Sequence, residues 1–474
     1  MRIKHSVRAL LLATTVSLVA AGASAQTSTV DTSTMTEREL YAYAEALRLG
    51  SGVDADPAAS LALHQQLAEG GRTQSYVRMW MILVSLGRLE EAKVALESGT
   101  AAGDEIAARR LAVGNVFGRF GAASDPTAGF AQLQDIVRVS DNASARYALA
   151  RSYENGLGTE ASLVKAQEIY LTLADEGHGP SLRRLGNLAQ EGAVGDPDAA
   201  AAIEYYRSAG ENGQPNAWLE LARVYFDESQ YDEAIAAFEN AIAGGVDSAA
   251  AEYATAHFLG EFGPRSDRAL GAQMLETGAE NGDVEMAAAA LTLWERRSRR
   301  INSLDLEGVI AQMDAKMQAG DETATRALAR AYRVLRWRIP QATTRHRDLV
   351  ANYGDQLGND YFVELFHSTY DTGRHSASRA ATYDLVKPLV GEDFYDAARA
   401  VRATEMTAFV YLLQKELGEL GYYSGRASGT FNNATLRATM RFCADQDIMD
   451  TCTHGPLTST ASSDIIASLA AIRG

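Results

Sequence analysis

The sequence predicts an all-α protein, a helix-turn-helix solenoid followed by a small helical bundle. Three observations predict it. Glycine recurs at the ends of apolar helical stretches at a near-constant step, and turn residues split each of those periods in two. Near the C-terminus, Leu413, Leu417 and Leu420 line one helix face that stops at Gly421. With 474 residues, 46% of them hydrophobic and 22% charged, the chain is too apolar for a disordered tail and long enough for two or three domains.

Residues 1–25 read as a leader. Met1-Arg2-Ile3-Lys4 is basic, Ala9 to Ala21 is apolar, and Ala23-Ser24-Ala25 places small residues before Gln26. This is the pattern of a secretory signal peptide cleaved between Ala25 and Gln26. Its apolar core of about 13 residues falls short of the roughly 20 needed to span a bilayer. A buried N-terminal helix is the alternative, and nothing amphipathic follows directly to support it. A periplasmic protein with no membrane span in the mature chain is therefore expected, with residues 26–37 as a flexible tether.

The charge balance excludes a class of partner. Sixty-one acidic residues against 44 basic ones give a net charge of −17, and the leader holds three of the basic residues (Arg2, Lys4, Arg8) and no acid. Affinity for nucleic acid comes mainly from Lys and Arg releasing counterions, so a mature chain more acidic still is not expected to bind it.

Residues 38–290 carry the repeat. The steps from Gly71 to Gly103, Gly177, Gly213, Gly245, Gly282 and Gly320 are 32, 74, 36, 32, 37 and 38, and 74 is two periods. A period near 35 residues means stacked helix pairs. Each glycine falls where a helix should end, because only glycine takes the left-handed conformation there without a Cβ clash. Within the period, Asp56-Pro57 and Asp196-Pro197 read as an N-cap followed by a first-turn proline, opening a second helix. Tyr147, Tyr153, Tyr170, Tyr205, Trp218 and Tyr225 recur at spacings that pack neighbouring helices, and a ligand groove is the alternative use for them.

These residues carry a resemblance. Leu185-Gly186, Glu191-Gly192, Gly195-Asp196-Pro197, Ala199-Ala200, Tyr205-Tyr206, Ala209-Gly210 and Gly213 are similar to the Sel-type branch of the tetratricopeptide-like repeats. So are Tyr153, Gly156, Gly158, Lys165-Ala166, Tyr170 and Gly177. The resemblance implies a scaffold that binds proteins on a concave face.

Residues 291–403 keep helical periodicity while the glycine punctuation fades, and read as degenerate helical repeats. They hold a basic island, Arg296, Arg297, Arg299 and Arg300, with Arg333, Arg336, Arg338, Arg345 and Arg347 downstream. Pairing with acidic repeats is the favoured reading of this island, and a patch for an anionic polymer such as acidic polysaccharide is the alternative.

Residues 404–474 carry a second resemblance. Leu413, Gln414, Leu417, Leu420, Gly421, Tyr422, Tyr423, Gly425, Gly429, Phe431, Thr435, Ala438 and Phe442 fit the pattern of the peptidoglycan-binding-like domain. Ser428, Asn432 and Cys443 depart from it. The resemblance implies glycan contacts from Tyr422, Tyr423, Arg426, Ser428, Asn432 and Thr435. Tyr422 is expected to close the bundle core, Tyr423 to face solvent, and Thr435 to cap the next helix. Cys443 and Cys452, nine positions apart in an exported chain, favour a disulfide. Free thiols are the alternative, and zinc would need about four ligands where only His454 lies near.

A search for catalytic motifs finds no metalloprotease helix, nucleophile elbow or phosphate loop, and the eight histidines are scattered. No enzymatic activity, cofactor or metal is expected. The reading that results is a periplasmic adaptor, with repeats for envelope proteins and a terminal module for the wall. A scaffold in exopolysaccharide (alginate-like) export or its regulation is the alternative. A wall hydrolase or hydrolase activator is the third, and it would need a catalytic domain for which no compact segment remains.

Overall fold

The seven glycines of the sequence period, Gly71 to Gly320, all take positive φ, from 76° to 99°. A computed structural model describes residues 32–294, 301, 303–369 and 375–473, and among them the regular structure is helical, with no strand. The leader and Arg296, Arg297, Arg299 and Arg300 lie outside the described residues. Backbone contacts divide the chain into a first unit ending at Leu173 and a second running from Ala174.

In the first unit, successive helices pack one on the next, from Glu37–Leu49 and Pro57–Glu69 through Gln74–Ser85, Leu89–Ala101, Glu105–Val116 and Pro126–Val139 to Ala143–Asn155. Their starts are fixed by side chains. Asp56 accepts from the Ala59 amide at 2.9 Å with Pro57 in the first turn, and Asp125 with Pro126 repeats the device. Where the glycine period skips, the helix Pro126–Val139 stops at Ser140 and Asn142 caps the next one.

In the second unit, Pro197 does not open a helix as expected. The helix Ala199–Glu211 is capped by Asp198, which accepts from the Ala201 amide at 2.9 Å. Pro197 instead packs over Gly192, where a Cβ would meet it at 2.7 Å. The aromatics take the expected packing role: Tyr170 and Tyr225 are buried, Tyr153, Tyr205 and Trp218 are half-buried against the hydrophobic cores, and half-buried Tyr147 lies 5.6 Å from the Tyr170 ring.

The stretch 291–403 divides between two hydrophobic cores. Helices Leu306–Gln318, Glu322–Val334 and Ala342–Tyr353 share a core with the preceding repeats, through Leu328, Tyr332 and Leu349. Helices Tyr361–Thr369, His375–Val386 and Gly391–Thr404 contribute Phe366, Tyr383, Val386 and Phe394 to the core that continues through Phe409, Phe442 and Leu469. The terminal core therefore crosses residue 404, where the change of motif placed a boundary. Helix Tyr361–Thr369 touches both cores, with Tyr361 and Leu365 packed against one and Phe366 buried in the other.

A buried ion cluster sits at this junction. Glu364, 4% exposed, accepts from His346 Nε2 at 2.8 Å and from Arg333 Nε and Nη2 at 3.2 and 3.1 Å. Burial alone would raise the Glu364 carboxyl, and its bonds to His346 and Arg333 overcome that and hold it low. Burial first, and the Arg333 charge next, push the His367 imidazole down to about 4. A histidine kept neutral in the fold and protonated at about 6.5 when unfolded stabilises fully above that pH. The contribution is lost as pH falls toward about 4. We expect the His367→Asn variant to lose less stability than the parent between pH 7 and pH 5 in urea denaturation. Equal losses would refute the assignment.

Candidate binding surfaces

Two surfaces in the second unit have the geometry to hold a ligand. The first is a groove of about 500 Å³ across helices Pro215–Asp227, Tyr231–Ala243, Asp247–Leu259 and Val284–Trp294. Leu259, Ala288, Ala289 and Leu293 make much of its lining apolar. At its edge Arg223 holds Glu252 in a fork, with Nε 2.9 Å from Oε2 and Nη2 on Oε1. Glu285, half-buried, has no ion-pair partner among the described residues, and burial, with Asp283 and Asp321 adding like charge, raises its carboxyl.

The second lies in the terminal core, where the helix Met406–Glu419 packs on the helix Asn433–Asp445. Gln414, 1% exposed, clamps the intervening loop with its whole amide. Its Oε1 accepts from the Ser428 and Gly429 amides at 2.7 and 2.9 Å, and its Nε2 donates to the Thr430 carbonyl and to Thr435 Oγ1 at 2.9 and 2.8 Å. The glutamine of the sequence pattern is thus a loop clamp. Thr435 is buried with it and does not cap the helix as expected. Asn432 does, accepting from the Ala434 and Thr435 amides at 3.0 Å each.

The two tyrosines exchange their expected places. Tyr423 is buried, its hydroxyl donating to the Arg426 carbonyl at 3.3 Å over Gly425, where a Cβ would meet that hydroxyl at 2.6 Å. Tyr422 is half-buried, its ring edge-on to Phe442 at 5.5 Å and its hydroxyl donating to Asp445 at 2.8 Å, a bond that holds the phenol above its ordinary pKa. A shallow concavity of about 560 Å³ forms around Tyr422 with Ser424, Gly425, Leu436, Arg437 and Arg441. Of the six residues expected to contact glycan, it brings together only the two tyrosines. Ser428 and Thr435 serve the Gln414 clamp, Asn432 the cap, and Arg426 is exposed outside the concavity. Arg437 and Arg441, missed in the sequence, follow from helical spacing once Asn432 is placed as the cap.

Cys443 and Cys452 are joined as a disulfide, tying the helix Asn433–Asp445 to the turn Met449–Cys452. Cross-linking so short a loop limits the unfolded chain. The Cys443→Ser/Cys452→Ser variant is expected to lose about 2–3 kcal/mol. A thermal midpoint unchanged by reduction would refute this.

Of the basic residues downstream of the expected island, Arg333 and Arg345 are paired internally, with Glu364 and Asp314, and Arg338 lies over the Trp337 ring at 4.5 Å. Among the described residues no cluster of His, Cys, Asp and Glu could hold a metal, and no helix is long and apolar enough to cross a membrane.

Residues 40–71, 143–178, 179–214 and 247–283 match the model of the Sel1 repeat. A search of the curated proteins finds no match. Among solved structures, the Sel1 repeat protein from Oxalobacter formigenes is similar at 19% identity and a TM-score of 0.40, over 51% of this chain and 99% of that one. The protein c5321, a protective antigen of uropathogenic Escherichia coli with an SLR fold, is similar at 17% identity and a TM-score of 0.41, over 92% of each chain.

Proposed function

We propose that this chain of Sel1 repeats is a non-catalytic adaptor of the bacterial periplasm, holding a protein partner on its repeats and peptidoglycan on its terminal module. The observation that carries the reading is the groove lined by four helices of the repeat array. Its apolar lining beside Glu285 suits a segment that presents an apolar side chain next to a basic one. The wall half of the reading is supported by the Tyr422 concavity, where Arg437 and Arg441 suit the carboxylates of wall peptides and the tyrosine ring suits a sugar face.

Sedimentation with insoluble sacculi tests the wall half. The terminal core crosses residue 404, so point variants of the full chain replace truncation. The mature chain is expected to pellet, the Tyr422→Ala/Arg437→Ala variant to stay in the supernatant, and an Ala288→Trp variant, which fills the groove, to pellet like the parent. If the mature chain does not pellet, the wall role is wrong. The export scaffold then takes its place, and a uronate polymer in the same assay is its test.

A further inference from the structure

One exposed aromatic in the second unit serves neither surface described above. Trp337 is 55% exposed, while Trp80, Trp218 and Trp294 are half-buried. It sits in the loop between the helices Glu322–Val334 and Ala342–Tyr353, flanked by Arg336 and Arg338, which are exposed and make no ion pair among the described residues. The loop is pinned on both sides. Leu335 and Ile339 are buried, and the Leu335 carbonyl accepts from the Arg338 and Ile339 amides at 2.7 and 3.0 Å. The Arg338 guanidinium lies over the Trp337 ring at 4.5 Å, and Gln341 then takes a φ of 55°, where L side chains are rarely found. The fold thus holds a large apolar ring in water between two cations, on a backbone with a costly turn, and such costs are kept where they serve recognition.

Building on the reading of the groove as a protein site, we propose that it receives the Trp337 loop of a second copy of this chain. The groove offers about 500 Å³ lined by Leu259, Ala288, Ala289 and Leu293, and a tryptophan ring brings a large apolar surface to fill it. Two carboxylates of the lining, Glu261 and Glu285, make no ion pair among the described residues, and the two arginines of the loop match them in sign and number. Burial and like charge work against the Glu285 carboxylate, so an arriving guanidinium relieves a penalty already present in the free protein. A guanidinium stacked on a ring keeps its edge N–H donors available for a carboxylate. Because the loop is already ordered, little freedom is lost when it docks, and tryptophan with arginine is the residue pair that most often dominates an interface. Trp337 does not line the groove of its own chain, so the contact takes two molecules.

The test is sedimentation equilibrium of the full mature chain over a range of concentrations. The parent is expected to associate as concentration rises. Trp337→Ala, which empties the loop, and Ala288→Trp, which fills the groove, should each associate at least about tenfold more weakly. An equimolar mixture of the two should associate more tightly than either alone, because one supplies the groove and the other the loop. Glu285→Arg, which reverses a charge at the groove, should replace Ala288→Trp in that mixture and guards against misfolding of the tryptophan variant. Val139→Ser, at a position 79% exposed in the first unit, should associate within about twofold of the parent, which separates the contact from general stickiness. A parent that stays monomeric, a Trp337→Ala variant that associates like the parent, or a mixture no tighter than its components overturns the proposal. A labelled peptide of residues 335–340, followed by fluorescence anisotropy, is expected to bind Trp337→Ala and not Ala288→Trp. If the peptide binds in this way while the parent stays monomeric, the second copy is wrong and the groove remains a site for another protein. If the peptide does not bind either, both readings fall.

Discussion

Replacing Gly158 with alanine is expected to destabilise the first unit by about 3 kcal/mol, from two causes acting together. Gly158 holds φ at 71°, where an L side chain is strained. It also lies against the start of the helix Pro126–Val139, and a Cβ would fall 2.0 Å from the Pro126 carbonyl oxygen and 2.9 Å from Phe130 Cβ. That helix start cannot easily yield, since Asp125 caps it and Phe130 is buried in the core with Leu133 and Leu149. Gly52→Ala separates the two causes. Gly52 has a similar φ of 76° but nothing within 4 Å, so only the backbone cost, about 1 kcal/mol, should appear. Urea denaturation of the full chain reads both, and equal losses would mean that the close approach to Pro126 has no energetic weight.

Arg473→Ala is expected to cost about 3 kcal/mol in the terminal core. Glu416 is buried, its side chain 5% exposed, and it accepts from Arg473 Nη1 at 2.7 Å and from the Tyr383 hydroxyl at 3.0 Å. The second Arg473 amino group donates to the Lys387 carbonyl, and the guanidinium lies over the Phe394 ring at 4.6 Å. Removing it leaves a desolvated carboxylate with one neutral donor, and breaking a buried pair from one side costs far more than the pair contributes as a whole. The double variant Arg473→Ala/Glu416→Gln should therefore recover part of the loss. If it is no more stable than the single variant, stacking on Phe394 rather than the buried charge sets the cost.

The repeat was legible because its signals are local. A glycine at the end of a helix reports backbone conformation at the residue itself, so Gly71 and Gly103 could be placed without tertiary information, whereas Asp before Pro marks a helix start at Asp56-Pro57 and not at Asp196-Pro197, where Asp198 is the cap. Tyr422 and Tyr423 could not. Past Gly421 the helical period no longer applies, and both tyrosine amides donate to the same Leu417 carbonyl. Which ring turns inward is decided by the space that Gly425 leaves for the Tyr423 hydroxyl, a contact between side chain and backbone that no period encodes. Thr435 read as the cap by residue type, but the Gln414 amide holds it inward and Asn432 takes the cap instead. The limit at 403/404 followed a change in motif, whereas a core follows buried side chains, and Phe394, Phe409 and Phe442 share one.

The helix Tyr361–Thr369, with a face in each core, also bears on how the array ends. A stack of repeats offers its last apolar face to whatever comes next, and without a covering element that face fits the opening face of another copy. Such a contact is heterologous and need not close on itself, so it builds filaments rather than dimers. Tyr361, Leu365 and Phe366 occupy that position, so the apolar face at the end of the repeats is covered from within the chain.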